Sequence, residues 1–177
     1  MITKKTKPED EIDFTAGEII LIDKEKGFTS FDVVKKIRNL VRVKKVGHAG
    51  TLDPAATGLL IVNTGKMTKQ IYKYQDLHKT YSGKIELGKA TPTMDSESEA
   101  SREVSINGID EEEIFSVRDS FLGESSQVPP MFSALKYKGK PLYKLARKGA
   151  EVEREARKIR IDNFELTDVL KMKKAAI

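Results

Sequence analysis

Two short apolar runs, residues 18–23 (EIILID) and 59–62 (LLIV), bracket a helix-periodic stretch and a loop dense in glycine and proline. Runs this short, flanked by turn residues, suit strands in a packed interior. Gly27 breaks the first run, and Thr29, Ser30 and Asp32 then offer a helix start of the capping-box kind. Val34, Ile37 and Val41 follow at helical spacing while Lys35, Lys36, Arg38 and Arg42 fall elsewhere. The spacing predicts an amphipathic helix with a cationic outer face. The first 62 residues therefore read as strand, helix, tight loop, strand.

Further along, residues 81–87 alternate, with Tyr81, Ile85 and Leu87 on one face and Ser82, Lys84 and Glu86 on the other. This predicts a strand with Tyr81 at its start, on the apolar side. Asp110 and Glu113 open another helix, in which Ile114, Val117 and Phe121 make a core stripe before Gly123 ends it. Residues 141–149 predict a short helix, bracketed by Pro141 and Gly149, that exposes Lys144, Arg147 and Lys148. Ile159 and Ile161, then Phe164 and Leu166, read as a final strand. Strands and helices mix without a strict βαβ rhythm, which gives the class α+β. Residues 1–16 are polar and aperiodic, and are expected to form a disordered leader.

A chain of 177 residues is long enough for one globular domain, burying roughly 70% of the surface of its unfolded form without staples. It has no cysteine, and its histidines are His48 and His78. Disulfide scaffolds, cysteine nucleophiles, thiolate zinc sites and multi-histidine metal clusters are thereby excluded. No apolar run approaches the roughly 20 residues that span a bilayer, and the opening MITKKTKPEDEID lacks a signal peptide's apolar core. A soluble, cytoplasmic protein with no membrane partner is expected.

The net charge of +5 says less than its arrangement. Residues 95–124 hold ten carboxylates against two arginines, whereas residues 136–160 hold ten cations against three carboxylates. Residues 35–45 add six cations and no carboxylate. One region repels polyanions and two attract them.

Walker and dinucleotide-type glycine loops, HExxH and GxSxG are absent, which removes most of the case for nucleotide hydrolysis, hydride transfer and serine hydrolysis. What remains is the loop VGHAGTLDPAATG. Gly47 and Gly50 admit backbone conformations closed to other residues, and Pro54 pushes Asp53 into an extended one. An ionised carboxylate projecting from such a loop can act as a nucleophile or stabilise a cationic transition state, though Asp-Pro also simply initiates turns. His48 lies five residues earlier in the same loop. Tyr81 reads equally as a core aromatic or as a platform for an unstacked base.

Four blocks in order then resemble one family, that of tRNA pseudouridine synthase B (TruB): LIDKEKGFTSFDVVKKI, VGHAGTLDPAATGLLIVNTGKMTK, KTYSGKIELGKATPTMDSE and VPPMFSALKYKGKPLYKLARKGAEVEREARKI. The resemblance runs from about Gly17 to Leu166. It implies a pseudouridine synthase fold, a mixed and mostly antiparallel sheet with flanking helices, and an isomerase that converts the uridine at position 55, in the T loop of tRNA, to pseudouridine. Asp53 matches the essential aspartate of the family's G-x-L-D-P signature. His48 matches a histidine associated with flipping the target uridine, Tyr81 the tyrosine that stacks on it, and Lys24 an active-site lysine.

By the same resemblance, residues 127–157 form a mobile element that closes over the RNA, with Lys136, Lys138, Lys144, Arg147 and Lys148 as its RNA contacts. The implied partner is the T-arm stem-loop of tRNA, the implied state a monomer, and no cofactor is needed for an isomerisation without a redox step. Two departures stand out. DKEKG replaces a pattern that commonly has proline after the lysine. The chain also ends at Ile177, before the family's KGTYIR-like strand with its arginine and before the PUA domain. On that basis residues 17–177 are expected to be the N-terminal part of a catalytic domain, an incomplete one with little activity alone. A noncatalytic tRNA-binding module or RNA chaperone of the same fold is the alternative, and a protein-binding domain a third reading.

Overall fold

The computed structural model describes residues 1–7 and 11–169. Strands β1 (Ile19–Lys24), β2 (Val46–His48) and β3 (Gly58–Thr64) alternate with helix α1 (Ser30–Val41), followed by a 3-10 helix (Gly65–Gln70) and the single turn α2 (Tyr72–Gln75). Then come β4 (Lys89–Ala90), β5 (Arg102–Glu103), α3 (Glu111–Ser120), β6 (Gly123–Gln127), β7 (Lys136–Tyr137), β8 (Lys140–Pro141), α4 (Leu142–Ala146) and β9 (Arg157–Ile161). The chain divides into two compact units, Met1–Gly83 and Lys84–Ile177, where one domain is expected from the sequence.

In the first unit β3 is the central strand of an antiparallel sheet ordered β1-β3-β2. Leu60 pairs with Ile22, and Val62 with both Ile20 and His48. Ile20, Val33, Val34, Val46, Leu60 and Val62 form the core, and Ile2, Phe14, Ile22, Ile37 and Leu52 pack against it. The apolar runs and the inner face of α1 thus meet as their patterns require. At the sheet's far end Gly65 (φ +52) turns the chain where a Cβ would run into the backbone carbonyls of Thr15 and Phe14, a conformation open to glycine.

Helix α1 starts at a complete capping box. The Thr29 side chain accepts from the Asp32 N–H at 3.0 Å, and the Asp32 carboxylate accepts from the Thr29 N–H at 3.0 Å and its hydroxyl at 2.6 Å. These bonds to Thr29 hold the Asp32 carboxyl below its ordinary pKa. A group whose pKa is lowered by folding contributes stability above its unfolded pKa and loses it as the pH falls through its folded one. Acid titration of the denaturant midpoint should therefore decline less steeply below the ordinary carboxylate range for Asp32→Asn than for the parent. Separately, Thr29→Ala should cost about 1 kcal/mol at neutral pH, read from the same midpoint.

Within the stretch expected to be a disordered leader, the first residues are docked. The Ile2 N–H donates to the Ile19 carbonyl at 2.6 Å, the Leu21 N–H donates to the Ile2 carbonyl at 3.0 Å, and Ile2 forms a parallel bridge with Ile20. The amino terminus pairs with Glu18 at 3.0 Å. Edge strand β1 offers unpaired backbone groups that even a polar segment can satisfy, so low hydropathy does not decide the matter.

Among the described residues, the second unit holds three two-stranded antiparallel sheets, β4-β5, β6-β9 and β7-β8. Its buried residues, among those described, are Pro129 and Leu142. Helix α3 starts at its expected capping box, Asp110 with Glu113. Its apolar stripe is less covered than expected: Ile114 is half-buried, while Val117 and Phe121 are exposed. Phe121 meets Phe164 edge to face, with ring centroids 6.3 Å apart. The expected strand over residues 81–87 is absent, because alternation defines a face but cannot supply the neighbouring backbone that a strand must bond to. The final strand stops at Ile161, short of Phe164 and Leu166.

Candidate active site

Asp53 is held by its neighbours rather than by its own carboxylate. His48 ends β2, and the Ala49 N–H donates to the Ile61 carbonyl at 2.9 Å, carrying the pairing with β3 one residue further. The His48 Nδ1 lies 2.6 Å from the Gly50 carbonyl. Since a carbonyl can only accept, Nδ1 carries the proton and Nε2 is the nitrogen available to other groups. Beyond Gly50, Ser30 bonds the backbone of Leu52, and the Pro54 carbonyl accepts from the Gly27 N–H at 2.8 Å. The Asp53 carbonyl accepts from the Ala56 N–H at 3.0 Å. With Asp at its first position and Pro at its second, this is a β-turn.

Asp-Pro thus does initiate a turn, and the same turn leaves the Asp53 side chain exposed. Among the described residues no hydrogen bond or ion pair engages its carboxylate. The turn reading and the chemical reading of Asp53 are compatible. The glycines work differently from expectation. Neither Gly47 nor Gly50 has a positive φ; the left-handed positions are Gly58 (φ +120), where the loop joins β3, and Gly27 (φ +90), on the turn that grips Pro54.

Lys24 is brought to this region, but with its charge turned inward. It is 1% exposed, and its ammonium donates to the Phe28 carbonyl at 2.7 Å and the Glu25 carbonyl at 3.1 Å. Where sequence resemblance points to a substrate contact, the geometry is that of a brace across the 25–28 turn. Tyr81 lies in the same unit, 75% exposed and outside any strand. No ring contact or hydrogen bond ties it to His48 or Asp53 among the described residues.

In the second unit, Lys136, Lys138, Lys144, Arg147 and Lys148 are all exposed. The β7-β8 hairpin turns on Lys138 (φ +47) and Gly139 (φ +80), the two left-handed positions of a type I′ turn, so Lys138 stands at its tip. The Lys138 ammonium is 5.4 Å from the Tyr137 ring centroid and the Arg147 guanidinium 5.5 Å from that of Tyr143. Helix α4 is tied back by the Leu142 N–H to the Leu135 carbonyl at 2.7 Å. This cationic stretch begins and ends at one rung of the β6-β9 ladder. There Gln127 pairs with Arg157, whose guanidinium also donates to the Gln127 side chain at 3.1 Å.

Sequence reasoning missed Ser30 and Gly27 as supports of the Asp53 loop. Thr29, Ser30 and Asp32 signal a helix start, but no pattern in a single chain announces a hydroxyl bonded to a backbone 22 residues away.

Comparison with known proteins places this geometry in context. Residues 38–176, which include His48, Asp53 and Tyr81, match the model for the TruB family pseudouridylate synthase (N terminal domain). The tRNA pseudouridine synthase B of Opitutus terrae is 46% identical over 161 residues, covering 91% of this chain and 65% of that protein. The Clostridium tetani protein of the same name is 49% identical over 151 residues, covering 85% and 52%. That of Clostridium perfringens strain ATCC 13124 is 51% identical over 147 residues, covering 83% and 50%. The chain thus spans about half to two thirds of the length of these relatives. An α+β chain with this Asp53 loop, matched by that model over most of its length, belongs to the TruB family of pseudouridylate synthases.

Proposed function

We propose that the protein carrying this chain converts the T-loop uridine at position 55 of tRNA to pseudouridine, with Asp53 as its catalytic residue. The observation that carries this reading is the Asp53 carboxylate itself. It is exposed and unengaged among the described residues, and the residues on either side of it, Leu52 and Pro54, are bonded to Ser30 and Gly27. The reaction breaks the N1–C1′ glycosidic bond, turns the base and joins C5 to C1′; the C5 hydrogen leaves to solvent and N1 gains one. No electrons are exchanged, and the detached base stays in the site, so a single carboxylate suffices where glycoside hydrolysis uses two.

Extruding the base from a folded loop costs a few kcal/mol, offset by stacking and edge contacts. Tyr81, with its ring in solvent, can supply the stacking surface, and the free Nε2 of His48 can contact the vacated stack. The relatives' names carry tRNA as substrate, and the cationic segment 127–157 supplies phosphate contacts. A monomer working in the cytoplasm completes the reading; no helix of the described residues is long and apolar enough to cross a membrane.

The test is release of tritium from C5-labelled uridine in a T-arm hairpin, with carbodiimide labelling to locate the product. Product at the T-loop uridine supports the reading. Tight binding without product would favour the noncatalytic tRNA-binding alternative. Replacing Lys144, Arg147 and Lys148 together by Gln should weaken hairpin binding. The slope of log K against log salt should become shallower by about 0.7–0.9 for each phosphate that is no longer neutralised. An unchanged slope would take these side chains out of the interface.

A further inference from the structure

We infer that Ser30, supported by Gly27, is the positioning residue for Asp53, an inference that rests on the role proposed for Asp53 above. Ser30 is the first residue of α1, yet it is 2% exposed. Its Oγ accepts from the Leu52 N–H at 2.9 Å and donates to the Leu52 carbonyl at 3.2 Å. One hydroxyl therefore satisfies both backbone polar groups of the residue immediately before Asp53. On the other side, the residue immediately after Asp53 is held by Gly27 through its carbonyl.

Both clamps come from residues 27–30, where the turn after β1 runs into α1, and that segment is itself fixed. The Lys24 ammonium bonds the Glu25 and Phe28 carbonyls, and the Thr29–Asp32 box sets the start of the helix that follows. The bonds to Leu52 and Pro54 leave Asp53 between two fixed points with its side chain outward. A hold on Leu52 alone would serve only to satisfy its half-buried backbone; here the residues on both sides of Asp53 are fixed. A reacting carboxylate needs such a hold, because displacement of a reacting group by about 1 Å costs roughly a hundredfold in rate.

A serine hydroxyl both donates and accepts, so one small group can grip an N–H and a C=O of the same residue. Alanine can do neither, and it leaves two half-buried backbone groups of Leu52 without their partner. The side chain of Leu52 packs on the core and keeps the loop attached. Loss of the hydroxyl should accordingly loosen the aim of Asp53 more than it weakens the fold or the binding of RNA.

The test compares Ser30→Ala and Ser30→Thr with the parent in tritium release from a C5-labelled T-arm hairpin, measuring kcat and KM separately. Ser30→Ala is expected to lower kcat by about 10- to 100-fold with KM within about twofold. Ser30→Thr, which keeps the hydroxyl, should recover most of that loss. A rise in KM with kcat unchanged would overturn the inference. Hydrogen exchange in the unmodified protein gives an arm that needs no variant: the Leu52 amide should exchange markedly more slowly than the Thr51 amide, and equal rates would mean the clamp is not formed. Asp53→Asn in the same assay separates the two claims. If Asp53→Asn stays active, the role of Asp53 falls; if it is inactive while Ser30→Ala keeps full kcat, that role stands and the positioning role falls.

Discussion

Asp53→Asn is expected to lower pseudouridine formation in a T-arm RNA by about a thousandfold or more, while RNA affinity stays within about twofold. The amide has the same shape as the carboxylate but neither its charge nor its nucleophilicity. The side chain is exposed and unengaged among the described residues, so the exchange breaks no bond of the fold and should change stability by less than about 0.5 kcal/mol. Affinity is spared because polyanion binding depends on cations, and removing a negative charge can only favour it. The measurement is single-turnover tritium release beside a filter-binding or fluorescence titration. Parallel loss of affinity and turnover would show that Asp53 organises the loop instead of acting on the substrate.

The second large effect belongs to β3 and can be read from two adjacent leucines. Leu60 is 1% exposed and pairs with Ile22 in the middle of the first unit's core; Leu59, the neighbour on the opposite face, is 62% exposed. Leu60→Ala should cost about 3 kcal/mol, because the lost transfer energy adds to that of a cavity the sheet cannot close. Leu59→Ala should stay within about 0.5 kcal/mol. Denaturant midpoints at constant m give both numbers. Similar costs at the two positions would mean the strand's register, and with it the placement of the following residues, differs from that described.

Where local signals agreed with one another, they were sufficient. The apolar runs became β1 and β3, and the Thr29–Asp32 and Asp110–Glu113 boxes start α1 and α3 as their spacing requires. Asp53, His48 and the exposed cations of residues 136–148 were all visible as residue types in a telling order. The shortfalls share a cause. Whether residues 81–87 become a strand, whether Val117 and Phe121 are covered, and whether Ile2 docks on β1 all depend on a partner surface remote in sequence. Alternation or hydropathy describes one side of a contact, and the other side lies outside the window being read. The same holds for Ser30, whose hydroxyl looks like a capping group until Leu52 comes within reach of it. Lys24 shows the reverse case: a charged residue expected in the active site is buried, its ammonium donating to two backbone carbonyls.

The Gln127–Arg157 rung has a consequence for how such a chain can vary. Because residues 128–156 leave and rejoin the ladder at a single crossbar, their length is nearly decoupled from the register on either side. Doubling a flexible excursion adds only about 0.6 kcal/mol of closure entropy. Insertions are therefore best tolerated at its exposed turns, where β6 and β9 keep their pairing, while the buried Pro129 and Leu142 limit what can be removed.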